Sequence, residues 1–133
     1  MNNKSKKISS EISAGELLDK MSILEIKMDK IKDTNGLNEI NKEYSILKLA
    51  KDTHIEFSDE IKKLYVEIKK INLKLWNIED EIRICEKKKD FGENFINLAR
   101  SVYLNNDKRS KIKSEINKLL GSNIKEIKQY ADY

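Results

Sequence analysis

Between Ser58 and Lys89 the apolar residues Ile61, Leu64, Ile68, Ile71, Leu75, Ile78, Ile82 and Cys85 follow one another at steps of 3, 4, 3, 4, 3, 4 and 3. Steps of that kind put every one of them on a single stripe of an α-helix, whereas a strand would scatter them over both faces. A helix of about 30 residues is roughly 45 Å long, longer than most helices of globular proteins. The rest of the chain has to be arranged around it.

Three further helices are predicted by the same reasoning. Ser13 and Glu16 form a capping box flanked by Ile12 and Leu17 as a hydrophobic staple, which starts a helix running from Ala14 to about Lys32. Its stripe is Leu17, Met21, Leu24, Met28 and Ile31. Thr34-Asn35-Gly36 is expected to end it and turn the chain. The next helix is expected over residues 37–51 on Leu37, Ile40, Tyr44 and Leu47. Ser58 caps the long helix, and Asp90 with Glu93 repeats the capping-box pattern before the last one. That stripe reads Phe91, Phe95, Leu98, Val102, then Asn105 and Arg109, then Ile112, Ile116 and Leu119. The phase survives the polar interruption, so a single helix with a polar layer is expected up to Leu120, closed by Gly121 at its C′ position. The tail residues Ile124, Ile127, Tyr130 and Tyr133 are expected to fold back as a turn or short helix.

The 133 residues, with no Pro, only four Gly and 38% charged residues interleaved among Ile and Leu, describe one helical domain. The expected fold is an all-α helical bundle of two antiparallel helix pairs, the second pair long. Residues 1–12 are read as a loose N-terminal tail and residues 13–133 as the domain. Tyr65, Val66, Leu73 and Trp76 make the long helix apolar on several faces. It is therefore expected to run through the middle of the bundle, or to meet a second copy through Val66 and Leu73.

The formal charge of +4 and pI near 9.0 are too small and too dispersed an excess to point to nucleic acid. No apolar run has the length of a membrane span, and the basic start lacks the apolar core of a secretory signal. A cytoplasmic protein is the expectation. Cys85 lies on the core stripe and reads as a small buried apolar residue. His54 has no Cys or His companion, so no metal site and no cofactor are expected. Gly15 and Gly92 each stand before a Glu, which leaves no phosphate-cradling glycine loop.

Chemistry is best sought where polar groups flank the stripes. Trp76, Glu79, Arg83 and Glu86, with Asp80 beside them, share a face of the long helix with Asn72. The last helix offers Arg100, Tyr103 and Asp107 on one stripe and Asn106, Arg109, Lys113 and Asn117 on the next. The first helix offers Glu16, Asp19, Lys20 and Lys27. If these flanks converge they line a polar pocket inside the bundle. Arg stands at 83, 100 and 109 in a chain that otherwise uses Lys. Its planar fork suits a carboxylate or phosphate, whether on a ligand or on a neighbouring helix. An all-carboxylate magnesium site and a cation-lined dicarboxylate site are both spoiled by the mixing of signs.

The runs Ser13-Ala-Gly-Glu-Leu-Leu-Asp-Lys20 with Ile23-Leu-Glu-Ile-Lys27, Leu75-Trp-Asn-Ile-Glu-Asp-Glu-Ile-Arg83, and Leu98-Ala-Arg-Ser-Val-Tyr103 with Asn106-Asp-Lys-Arg109 resemble an uncharacterised family of small all-helical bacterial and phage proteins, a domain of unknown function. The likeness extends to Leu119-Leu-Gly-Ser122 and to Glu126–Tyr130. Ala14 replaces the Pro more usual there. The resemblance implies a stand-alone helical domain, at times found with glycosyltransferase-like or tetratricopeptide proteins, and no established activity. Two functions follow as expectations. One is a non-enzymatic protein-binding or accessory module, with a protein partner or a second copy. The other is an enzyme or binder of an anionic phosphate or carboxylate metabolite, with Arg83, Arg100 and Arg109 as clamps and Glu79 as acid or base.

Overall fold

The computed structural model describes residues 6–133; the first five residues of the expected tail lie outside the described part. Four helices follow in order: α1 (Ala14–Lys30), α2 (Thr34–His54), α3 (Asp59–Lys88) and α4 (Glu93–Leu120). They form an all-α bundle of two consecutive pairs, α1 with α2 and α3 with α4, and α1 also packs on both members of the longer pair. α2 packs on α1 alone among the helices.

That arrangement corrects the reading of α3 as the central element. Val66 and Leu73 on its outer face stay 52% and 40% exposed. The enclosed helix is α1, where Gly15, Leu17, Leu18, Asp19, Met21, Ser22, Leu24 and Ile26 are all buried. Gly15, Asp19, Ser22 and Ile26 sit at steps of 4, 3 and 4, which is a second stripe beside the apolar one. Small and polar side chains on it let α1 lie close to α3 and α4. Leu17, Leu18 and Met21 meet Ile61, Leu64 and Ile68 of α3 and Ile112 and Ile116 of α4 in one core.

Helix boundaries follow their caps. Asp33 accepts from Gly36 N at 2.8 Å, so the Thr34-Asn35-Gly36 run opens α2 instead of turning the chain before it. At α4 the N-cap is Gly92, and Asp90 accepts from Gly92 N at 3.2 Å, one step short of a capping box. α4 is one helix through its polar layer, with Asn105 Nδ2 donating to Ser101 O at 2.7 Å. Residues 124–133 hold no helix. Glu126 reaches Lys113 of α4 at 3.1 Å and the Tyr133 ring lies 5.5 Å from that of Tyr103, but Ile127 and Tyr130 face solvent, so no apolar face rewards a helix here.

A second polar knot ties α1, α2 and α3. Glu25 accepts from the hydroxyls of Tyr44 and Tyr65 on one oxygen and from Lys69 on the other. Burial pushes the Glu25 carboxyl up, but the hydrogen bonds from Tyr65, Lys69 and Tyr44 outweigh it and leave it below the ordinary carboxylate range. Burial and the bond to Glu25 push Tyr44 up to about 12, and the same causes raise Tyr65 further. A phenol held protonated in the fold contributes stability that is whole below its ordinary value near 10 and fades as pH rises through the folded value. The urea midpoint is therefore expected to fall as pH rises above about 10, more steeply in the native chain than in Tyr65→Phe. That variant should lose about 1.5 kcal/mol at pH 7, the low end for a bond to a charged group, since Tyr44 and Lys69 still hold Glu25. An unchanged slope above pH 10 in Tyr65→Phe would remove this knot from the account.

Candidate functional site

The start of α1 is buried, and each of its first N–H groups has a named acceptor. Ala14 N donates to Ser122 Oγ at 3.2 Å, Gly15 N to Asn117 Oδ1 at 2.7 Å and Glu16 N to Ser13 Oγ at 3.1 Å. Leu17 N donates to Ser13 O at 3.1 Å. The capping box is thus half made: the Ser13 hydroxyl caps, but the Glu16 carboxylate turns to Lys113 Nζ at 2.7 Å.

One turn further along α1, Asp19 is completely buried. An isolated carboxylate there would cost several kcal/mol, so its partners have to be good. Arg109 grips it in a fork, Nε to Oδ1 at 2.9 Å and Nη2 to Oδ2 at 2.5 Å. Asn72 Nδ2 donates to Asp19 Oδ1 at 2.8 Å and to Ser22 Oγ at 2.8 Å, while the Ser22 hydroxyl donates to Asp19 O at 2.7 Å. Lys113 Nζ stands 3.8 Å from Asp19 Oδ2 and bonds Glu16 and Glu126. The bonds it donates to Asp19 raise Arg109 above the ordinary guanidinium value against the opposing effect of burial. Burial alone would depress Lys113, but Glu16 and Glu126 outweigh it and hold the ammonium charged.

Beside this network a cleft of 620 Å³ opens between α1, α3 and α4. Asn72 and Arg109 form its inner end. Ile23, Ile26, Leu75, Trp76 and Val102 make the apolar wall, and Glu79, Asp80, Arg83 and Asn106 complete the lining. Arg83 Nη1 donates to Glu79 Oε2 at 2.6 Å on the outer side.

A model of DUF6165, a family of unknown function, matches residues 8–132. The chain belongs to that family. No curated protein and no solved structure matches it.

Within this DUF6165 member the polar residues singled out in the sequence fall into separate groups. Glu16, Asp19, Arg109 and Lys113 share the buried network. Trp76, Glu79, Asp80, Arg83 and Asn106 share the cleft with Arg109. The others lie elsewhere. Lys20 faces a groove beside α2, and Lys27 faces Glu39 and Glu43 across the α1–α2 contact. Glu86 pairs with Lys89 at 2.9 Å on the surface. Arg100 is exposed and outside the cleft, so the three arginines do not make one clamp. Tyr103 and Asp107 meet Tyr133 of the tail on the outer side of α4. Ser22, Glu25 and Glu126 were not foreseen as part of any site. Ser22 is signalled by its place on the Gly15–Asp19–Ser22–Ile26 stripe, whereas Glu25 and Glu126 meet their partners only through tertiary packing. Among the described residues no group of three or more His, Cys, Asp or Glu is placed to hold a metal ion, and no helix is long and apolar enough to cross a membrane.

Proposed function

We propose that this protein is a non-enzymatic cytoplasmic binding module that receives a protein partner in the cleft between α1, α3 and α4. One observation carries the reading. The strongest cations at the cleft are already engaged within the chain, Arg109 by Asp19 and Arg83 by Glu79. What is left for a visitor is an indole and aliphatic wall with a charged rim, the make-up of an interface core. Trp76 is the natural anchor. The test begins with proteins retained by the native chain from extract of its own cells, followed by titration of the purified candidate. Trp76→Ala should weaken binding about 30-fold, the effect of a hot-spot residue worth about 2 kcal/mol. Leu49→Ala, on the exposed side of α2, should leave it unchanged. Equal weakening by both variants, or by neither, would take the cleft out of this reading.

The anionic-metabolite reading keeps one supporting observation: Glu79, Arg83 and Arg109 do line a single open cleft. A melting-temperature screen with phosphates, nucleotides and dicarboxylates separates the two, because a bound ligand raises the midpoint by mass action. A second copy of the chain is the remaining candidate partner, through Val66 and Leu73. A light-scattering mass of one chain at micromolar concentration would remove it.

A further inference from the structure

The inner end of the cleft is more selective than its apolar wall. Asp19 can only accept hydrogen bonds, and the Ser22 hydroxyl has already given its hydrogen to Asp19 O. Both must therefore receive from Asn72, which fixes the orientation of its amide: nitrogen inward, at 2.8 Å from each acceptor, and oxygen outward. Asn72 is 6% exposed. Among the described residues nothing donates to Asn72 Oδ1, and no sealed side-chain oxygen is left without a partner, so Oδ1 opens on the cleft that Asn72 lines.

Arg109 is fixed by the same carboxylate. Its Nε and Nη2 lie on Asp19, which leaves Nη1 with only a 3.4 Å contact to Asn106 Oδ1 at the cleft wall. Asn72 Nδ2 and Arg109 Nε both hang on Asp19 Oδ1, at 2.8 and 2.9 Å, so the two side chains stand next to each other. The inner end thus offers a held acceptor beside a held donor, with the Trp76 indole among the lining residues. The rim contains Glu79 paired with Arg83, and Asp80 with no ion pair among the described residues, which disfavours an anionic head group.

We propose that this inner end takes a neutral, planar carboxamide, whose N–H donates to Asn72 Oδ1 and whose oxygen accepts from Arg109 Nη1. This rests on the reading of the cleft as a binding site and names the group it selects. The carboxamide comes either from a Gln or Asn side chain of a docked protein or from a free flat amide. A site built to pair both a donor and an acceptor rejects analogues lacking either one.

The test uses nitrogen-15-labelled full-length protein and matched probes. Benzamide carries donor and acceptor, benzoate is an anion with acceptors only, benzamidine is a cation with donors only, and N-acetylglutamine methylamide carries the side-chain form. The expected result is that at least one carboxamide shifts the Trp76 indole N–H and the Asn72 side-chain amide signals. Benzoate and benzamidine should need at least about tenfold higher concentration, the effect of one lost hydrogen bond. Benzamide binding more strongly indicates a free flat ligand; the glutamine derivative binding more strongly indicates a partner's side chain. Val102→Trp, which fills the cleft away from Asp19, should abolish the shifts. Benzoate or benzamidine binding as well as the carboxamides, or no shift with either carboxamide, overturns the proposal. Loss of partner binding in Trp76→Ala is read separately, so the docking reading can stand where this one falls.

Discussion

Asp19→Ala is expected to cost about 3–5 kcal/mol, the range for removing one side of a buried ion pair. Against a total of about 5–15 kcal/mol for a domain, that approaches unfolding. The loss comes from what is left behind. Without the carboxylate, Arg109 keeps a half-buried charge whose one remaining hydrogen-bond partner is Asn106 at 3.4 Å, Lys113 loses one of its three acids, and Asn72 keeps only Ser22 as acceptor. Urea denaturation at pH 7 reads the effect directly. Combining it with Arg109→Leu separates attraction from the orphaned charge. The double variant should be clearly more stable than the sum of the single losses, because removing both charges removes the burial penalty as well. A loss below about 1 kcal/mol for Asp19→Ala, or strict additivity, would mean that the pair is no more than an exposed salt bridge.

Gly15→Ala is the second large effect, and its direction opposes helix propensity. In an exposed helix interior Ala improves on Gly by up to about 1 kcal/mol. Here an added Cβ would stand 2.6 Å from Lys113 O and 3.1 Å from Lys113 C, both backbone atoms of α4 that cannot turn aside. To make room, α1 must lift from α4 and stretch the 2.7 Å bond from Gly15 N to Asn117 Oδ1. A net loss of about 1–3 kcal/mol is expected, as for overpacking a closed core. Gly36→Ala is the matched control. Its Cβ would meet Asp33 Oδ2 at 3.2 Å and Ile31 Cγ2 at 3.4 Å, both side-chain atoms able to shift, so its midpoint should stay close to that of the native chain. Equal effects at the two glycines would show that the α1–α4 approach is looser than this geometry.

The two effects have one origin, the tight crossing of α1 over α4. The same crossing orients the candidate site. Asp19 holds Arg109 and Asn72 at fixed angles, and these two side chains form the inner end of the cleft. A variant that loosens Asp19 should therefore disturb both stability and binding. Trp76 and Val102 line the cleft without bonding to Asp19, so their variants separate binding from folding.

Much of the architecture was legible because it rests on local chemistry. The 3-4 spacing from Ile61 to Cys85 gave the length of α3, Ser13 and Ser58 marked their helix starts, and the unbroken phase past Asn105 and Arg109 gave α4 as one helix. The errors lay where side chains compete for the same backbone. Asp33 capped Gly36 and moved the start of α2 three residues back, which composition alone does not decide. The polar residues flanking the apolar stripes are visible in the sequence, but which of them come together is not. Arg83, Arg100 and Arg109 look alike in sequence, yet one is a rim residue, one faces solvent and one is locked on a buried carboxylate.

By itself the sequence determined the four helices of the described residues, where most of them start and stop, and which stripe of each is apolar, because these follow from periodicity and capping within a few residues. Only the tertiary structure decided that α1, and not the longest helix, is enclosed. That outcome depends on Gly15, Asp19 and Ser22, whose small or polar side chains are unremarkable until α3 and α4 supply Asn72, Arg109, Lys113 and Asn117 to meet them. Burial of a polar stripe is a property of its partners, and those partners lie 50 to more than 100 positions away along the chain.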